Sequence, residues 1–137
     1  MKKQRMWGYR PPKPPKPEVP ASTKTVVEAK ARELVEKALK PEHVQPPPEP
    51  AQFNYVVDIY TKWYRNYFYF CARYACPGPR ALAPFFEKKF ARLEYVGGNN
   101  RFNLSFMRHT GEWIELYDDL SLDECLAAIQ TEPFFLP

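Results

Sequence analysis

Glycine and histidine are scarce in this sequence, and long apolar runs are absent. Five glycines among 137 residues are too few for a dinucleotide-binding fingerprint, and Gly97–Gly98 lacks the lysine and the helix of a phosphate-binding loop. No stretch of about 18 apolar residues is present, so we expect no transmembrane helix and no membrane partner. Lys2 and Lys3 are not followed by the apolar segment of a signal peptide, which predicts a cytoplasmic protein.

Cysteine is also sparse, and its spacing argues against a metal centre. Three cysteines, in a chain long enough to build its own core, do not indicate a disulfide framework. The residues that a zinc site would have to bring together are Cys71, Cys76, His109 and Cys125. Among them only Cys71 and Cys76 lie near each other in sequence, whereas structural zinc sites use two closely spaced pairs of ligands. A thiol nucleophile would pair Cys76 with His109, which has no recognisable orienting partner nearby, so we predict no metal, no cofactor and no catalytic residue.

The charges are segregated along the chain. Residues 1–50 carry 11 Lys and Arg against 6 Asp and Glu, whereas residues 51–137 carry 9 against 10. No acidic residue precedes Glu18, and no Lys or Arg follows Arg108. The net charge of +4 is therefore concentrated near the N-terminus, where it suits an acidic surface.

Proline is abundant, and it defines an extended arm at residues 1–21. The 16 prolines include a run at residues 11–20 that fixes φ near the polyproline II value and removes amide donors. Trp7 and Tyr9 precede this run with no local core to enter, so we expect them to bury against another surface. The alternative is an arm that serves only as a spacer. The arm residues expected to contact a partner are Arg5, Trp7, Tyr9, Arg10, Lys13 and Lys16.

An amphipathic helix is predicted at residues 22–40. Thr25 and Glu28 have the spacing of a capping box, and Pro41 is expected to end the helix. A proline-rich spacer follows at residues 41–52. The apolar residues that recur on one helix face are Val27, Ala31, Leu34, Val35, Ala38 and Leu39.

Residues 53–76 combine a helical period with a composition typical of strands. Polar residues recur at every fourth position, which is a helical period. Ten of the 22 residues at positions 53–74 are aromatic, however, and aromatic residues favour strands. We predict strands here, with a break near Arg65 and Asn66.

The remaining sequence predicts an antiparallel β meander. Apolar and polar residues alternate at 91–95 and again at 102–106, on either side of a turn, and this pattern indicates a hairpin. A further strand is expected after the next turn. Ser121 and Glu124 form a second capping box, which opens a C-terminal helix. The predicted fold class is therefore α+β, with a compact domain at residues 53–137 in which the meander is followed by a helix.

Three aromatic-rich segments resemble an uncharacterised family of small bacterial proteins. These segments are Tyr67–Tyr74, Phe90–Tyr95 and Phe102–Trp113. The resemblance covers roughly the C-terminal two-thirds of the chain. It implies no known activity and no catalytic residue, so the function has to be argued from the residues themselves.

The sequence favours a binding protein over an enzyme. The leading hypothesis is a non-enzymatic accessory protein that docks on a larger protein or ribonucleoprotein assembly through its arm and its aromatic-rich domain. RNA binding is the first alternative, because basic and aromatic residues on a sheet face suit phosphates and bases. A small RNase that uses His109 and Arg108 is the second alternative. The residues with expected nucleic-acid contacts are Arg92, Arg101, Arg108 and His109.

Overall fold

A five-stranded antiparallel sheet forms the centre of the fold. The computed structural model describes residues 16–50 and 53–137. The strands pair in sequence order, each with the next, as the predicted meander requires. They are β1 (Tyr55–Tyr64), β2 (Tyr67–Ala75), β3 (Phe85–Gly97), β4 (Arg101–Met107) and β5 (Trp113–Leu120).

Helices precede and follow the sheet, so the predicted α+β class is confirmed. Helix α1 (Ala21–Leu34) continues through a π-helical stretch (Val35–Leu39) into the short α2 (Lys40–His43). Helix α3 (Leu122–Thr131) follows β5, as predicted, and a 3₁₀ turn at Pro133–Phe135 comes next. The predicted extended arm lies outside the described residues as far as position 15.

The first helix shares one hydrophobic core with the sheet. Its most deeply buried apolar residues, spaced four apart and each at most 3% exposed, are Val27, Ala31, Val35 and Leu39. These residues form one cluster with Phe68 and Leu93 of the sheet and with Ile129 of α3. The helix is therefore part of the folded unit, although the sequence prediction had kept it separate from the compact domain.

The predicted Thr25–Glu28 capping box is wrong. The helix begins at Ala21, directly after Pro20, which adopts the extended conformation of an N-cap residue. Thr25 consequently lies within the first turns, where its hydroxyl donates a 3.1 Å hydrogen bond to the Ala21 carbonyl. A side chain in that position cannot cap the helix.

Pro41 does not end the helix, contrary to the sequence prediction. In the π-helical stretch the bonding pattern widens, and the Lys40 amide donates to the Val35 carbonyl. Pro41 then lies at the start of α2, directly after the widened turn. The helix continues to His43 before the chain turns extended.

The strands predicted at residues 53–76 are confirmed, together with the break between them. β1 and β2 form a hairpin whose turn is Arg65–Asn66, with Arg65 at φ 54°. Asn66 is buried, and its carbonyl accepts a 2.9 Å hydrogen bond from the Tyr95 amide of β3. The turn is thereby fastened to the third strand.

β3 begins earlier than the strand predicted at residues 91–95. Its register with β2 shifts at Phe70–Cys71, where Phe90 is an extra residue in β3. Phe90 and Ala91 are both buried as a result, although adjacent strand residues normally face opposite sides. This bulge interrupts the alternation on which the sequence prediction depended, and the segment that starts at Phe85 was missed.

The two faces of the sheet have different surroundings. Helices α1 and α3 both pack on the face that carries Phe68, Leu93 and Leu104. The opposite face, called the open face below, bears no helix within residues 16–50 and 53–137. Its central residues are Lys62, Tyr67, Tyr69, Lys89, Arg92 and Trp113.

Candidate functional site

Strand alternation in β2 places two tyrosines side by side on the open face. Phe68 and Phe70 are fully buried against the helices. Because successive strand residues point to opposite faces, Tyr67 and Tyr69 project the other way. Their ring centres are 6.1 Å apart.

Arg92 of β3 lies between two aromatic rings on this face. Its guanidinium carbon is 4.7 Å from the Tyr67 ring centre and 4.9 Å from the Trp113 ring centre. The Trp113 ring centre is in turn 5.8 Å from that of Tyr69. These distances are typical of cation–π contacts, and the four residues are called the aromatic–arginine cluster below.

The cluster holds Arg92 in a partly desolvated position. Its Nε atom is buried and has no hydrogen-bond partner among the described residues. The guanidinium is therefore ordered by packing on rings, and no described carboxylate forms a salt bridge with it. An arginine ordered in this way loses little conformational entropy when it binds an acceptor.

Glu87 organises the neighbouring lysines. Its carboxylate accepts hydrogen bonds from Lys62 at 2.8 Å, from Lys89 at 3.2 Å and from the Tyr60 hydroxyl. The hydrogen bond from Lys62, followed by that from Tyr60, lowers the pKa of Glu87 to about 2. Glu87 thus stays ionised at neutral pH, and burial together with this carboxylate raises the pKa of Tyr60.

Lys16 joins the N-terminal segment to the open face. Its Nζ atom lies 4.5 Å from the Tyr67 ring centre and 3.2 Å from a carboxylate oxygen of Glu94. It also donates to the Tyr67 hydroxyl, and this hydrogen bond is the largest cause of the raised pKa of Lys16. Pro17 then lies beside Gly97 at the end of β3, where a Cβ added to Gly97 would be 3.5 Å from the proline ring, and Val19 enters the core. From Lys16, the first described residue, the chain therefore runs from the open face into the core.

The open face is cationic near β1, β2 and β3 and acidic toward β5. In and around the cluster, four side chains are positively charged and two are negatively charged. The cations are Lys16, Lys62, Lys89 and Arg92, and the carboxylates are Glu87 and Glu94. The seven acids after Arg108 belong instead to β5, α3 and the segments that flank them. The positive charge of the open face is therefore concentrated on the side of β1, β2 and β3.

The remaining residues with expected nucleic-acid contacts lie apart from the cluster. Arg101 pairs with Asp119 of β5, with an Nε–Oδ1 distance of 3.0 Å. Arg108 and His109 are exposed in the β4–β5 turn, where the Arg108 amide donates to the Glu112 carbonyl. Of the four residues predicted, Arg92 is the one that the described contacts bring into the cluster.

The cysteines do not assemble a metal centre. Cys71 and Cys125 are fully buried, and burial raises the pKa of their thiols to about 11 and about 12 respectively. Cys76 is half-buried in the loop after β2. Within residues 16–50 and 53–137, no three His, Cys, Asp or Glu side chains are grouped to hold a metal ion. The zinc set considered from the sequence therefore does not come together there.

The family relationship extends beyond the sheet. The sequence pattern of a family described as a domain of unknown function, DUF3024, matches residues 18–137. The chain belongs to this family. No curated protein and no solved structure matches it. In the described part of the chain, no helix combines the length and the apolar character needed to cross a membrane.

The DUF3024 match includes the whole first helix, which the resemblance noted from the sequence did not. It begins two positions after Lys16 and leaves out nearly all of the predicted arm. Of the six arm residues expected to contact a partner, Lys16 lies on the open face. The other five lie outside the described residues: Arg5, Trp7, Tyr9, Arg10 and Lys13.

Sequence reasoning missed most of the cluster in this DUF3024 chain. Tyr67 and Tyr69 could have been found, since alternation in a strand at residues 67–75 puts both on the face opposite Phe68. Trp113 could not, because its approach to Arg92 depends on the pairing of β5 with β4.

Proposed function

We propose that this protein is a non-enzymatic accessory protein that binds a partner in a larger assembly through its open face. The observation that carries this proposal is the position of Arg92 between Tyr67 and Trp113. These side chains lie on a sheet face that bears no helix in the described part of the chain.

The composition of the cluster supports binding. Tyrosine, tryptophan and arginine are the residues most often found at the energetic centres of interfaces, because each buries a large area and also carries a polar or charged group. Here they are already ordered by contact with one another, since the guanidinium of Arg92 is within 5 Å of two ring centres. A partner would meet a surface that has little conformational entropy left to lose.

The proposal extends to the N-terminal arm. Lys16, the last base of the arm, contacts Tyr67 and Glu94 on the open face. The residues before it in sequence include the remaining bases of the arm and the anchors Trp7 and Tyr9. A partner that covers the open face would therefore be within reach of the arm, which supports contact by both.

The RNase alternative has less support. His109 is exposed in the β4–β5 turn, and the described hydrogen bonds of that turn are backbone contacts and a bond between Thr110 and Glu112. No described side chain orients the imidazole, as a general base would require. Arg108 contributes its backbone to the same turn.

Photo-cross-linking in cells tests the proposal. The aromatic photo-cross-linker p-benzoylphenylalanine replaces Tyr69 on the open face or, as a matched control, the exposed Tyr117. Tyr117 is suitable because its hydroxyl donates to Glu132 on the helix side of the sheet. We expect a defined adduct from position 69 and a much weaker one from position 117. Equal yields at the two positions, or adducts from position 117 alone, would contradict the proposal.

A further inference from the structure

We infer that the open face binds single-stranded RNA, with bases stacked on Tyr69 and Trp113 and phosphates held by Lys62 and Lys89. This inference rests on the proposed function and gives its partner a chemical class. Three features carry it: the two rings, the lysines that flank them, and the segregation of acidic residues away from this side of the sheet.

The stacking surface consists of Tyr69 and Trp113. The Tyr67 ring contacts two cations, Lys16 and Arg92, so it is less able to receive a base than Tyr69 and Trp113, each of which contacts one. Tyr69 and Trp113 are 5.8 Å apart with an interplanar angle of 43°, so neither ring covers the face of the other. Aromatic rings exposed on a sheet are the usual stacking platforms for unpaired bases.

Lysines flank the Tyr69 ring on both neighbouring strands. Lys62 pairs directly with Tyr69 across β1 and β2, and the Lys89 Nζ atom lies 5.6 Å from the Tyr69 ring centre. Their side chains are 43% and 37% exposed, and both share the single carboxylate of Glu87. This cluster of two ammonium groups and one carboxylate keeps a net positive charge for phosphates beside a stacked base.

Charge complementarity favours a polyanion over a protein partner. The acids after Arg108 border the face at β5, whereas the arm before Lys16 carries bases and no acid. A nucleic acid stacked on Trp113 at the start of β5 and on Tyr69 would therefore continue toward Lys16, away from the rest of β5. An acidic protein segment would satisfy the lysines but would not use the two rings as stacking surfaces.

The strand must be unpaired, and the acceptors on the face favour RNA over DNA. In a duplex the bases are stacked internally and cannot offer a face to Tyr69 or Trp113. Glu87 and Glu94 place carboxylate acceptors beside the lysines, where the ribose 2′-hydroxyl is a donor that DNA lacks. The two acids are thus compatible with RNA despite their charge.

Fluorescence anisotropy with the full-length chain tests this inference. The probes are a fluorescein-labelled, mixed-sequence RNA of about 12 nucleotides, the same sequence as DNA, and the same RNA in a duplex. We expect the single-stranded RNA to bind best and the affinity to fall as salt rises. Lys62→Gln and Lys89→Gln should each reduce the slope of log K against log salt by about 0.7.

Aromatic variants separate stacking from charge. Tyr69→Ala and Trp113→Ala should each weaken RNA binding by roughly tenfold, while Tyr69→Phe, which keeps the ring, should bind normally. Tyr117→Ala and Lys37→Gln are matched controls away from the open face and should leave affinity unchanged. Circular dichroism melting confirms that each variant is folded.

The possible results distinguish this inference from the proposed function. It is overturned if RNA shows no binding at about 100 µM, if DNA or duplex binds equally well, or if Tyr69→Ala has no effect. If RNA fails while cross-links from position 69 persist after nuclease treatment, the partner is a protein and the proposed function stands. If RNA binds and Tyr69→Ala weakens that binding, but position 69 gives no cross-link in cells, the proposed role in an assembly is overturned while the RNA-binding inference stands.

Discussion

Glu87 shows how one side chain sets the electrostatics of the open face. It accepts from Lys62, Lys89 and Tyr60, and these donors lower the pKa of Glu87 to about 2. Lys62 and Lys89 both donate to this one carboxylate, so a single acid orders two lysines. Because the pKa of Glu87 is about 2, protonation would release both ammonium groups only in strong acid.

Glu87→Gln should therefore lower stability in a pH-dependent way. A carboxylate whose pKa is lowered by folding stabilises the folded state at pH values above its ordinary pKa of 4.5. That stabilisation is lost as the pH falls toward the folded-state pKa of about 2. Because the pair is partly exposed, we expect a loss of about 1 kcal/mol or less at pH 7. Urea unfolding of both proteins at pH 7 and at lower pH measures the difference.

The pH trend decides the interpretation of that experiment. The free-energy gap between wild type and Glu87→Gln should shrink steadily below pH 4.5. Glu33→Gln, which removes an exposed helical pair with Lys37, is the matched control and should cost only about 0.3–0.5 kcal/mol. A gap that stayed constant or widened on acidification would rule out the assigned role of Glu87.

At the scale of elements, the two predicted capping boxes had opposite outcomes. Before α3, the Glu124 amide donates to the Ser121 hydroxyl at 3.2 Å, and the Ser121 amide donates to the Glu124 carboxylate at 2.8 Å. Before α1, the chain instead enters through Pro20, and the Thr23 hydroxyl donates to the Asn100 side chain of the β3–β4 turn. The start of α1 is therefore set by tertiary contacts, which the local sequence pattern does not contain.

Substitutions at the two sites should reproduce this contrast. Ser121→Ala removes a cap and should lower the free energy of unfolding by about 1 kcal/mol. Thr25→Ala should change it by less than about 0.5 kcal/mol, because alanine favours helix and no cap is lost. Urea titration measures both. A larger loss for Thr25→Ala than for Ser121→Ala would show that the helix starts have been assigned wrongly.

Features of the fold that depend on local sequence could be predicted, whereas those that depend on tertiary packing could not. The hairpin of β3 and β4 and the turn at Arg65–Asn66 were predictable, since alternation and turn chemistry are local. The bulge at Phe90 and the π-helical stretch before Pro41 were not, because each adjusts a regular element to its packing. In the candidate site, Arg92 was predicted, whereas its position between rings depends on strand pairing.

At the scale of the whole molecule, the first helix and the sheet form one unit. Leu39 is 1% exposed near the end of the helix and belongs to the same cluster as Ile59 of β1. Lys40 adds a salt bridge to Asp58 of β1 at 3.3 Å. The helices thus cover one side of the sheet, and within the described residues the other side bears no helix.

Leu39→Ala should destabilise the entire fold. Removal of this fully buried side chain should cost about 2–4 kcal/mol through lost burial and a residual cavity. Helix content by far-ultraviolet circular dichroism and sheet packing by tryptophan fluorescence should report one coincident unfolding transition. The half-buried Ala38, changed to serine, is the control and should have a smaller effect. Separate transitions would mean that the helix is an independent unit.

The central claim is that the aromatic–arginine cluster is the binding surface, and two arginines on one sheet test it most directly. The yield of cross-linked adduct from position 69 is measured in cells for Arg92→Ala and for Arg101→Ala. Arg101 is the matched control because its guanidinium is already paired with Asp119. We predict roughly a tenfold loss for Arg92→Ala and an unchanged yield for Arg101→Ala. An unchanged yield for Arg92→Ala, with both proteins folded, would contradict the account.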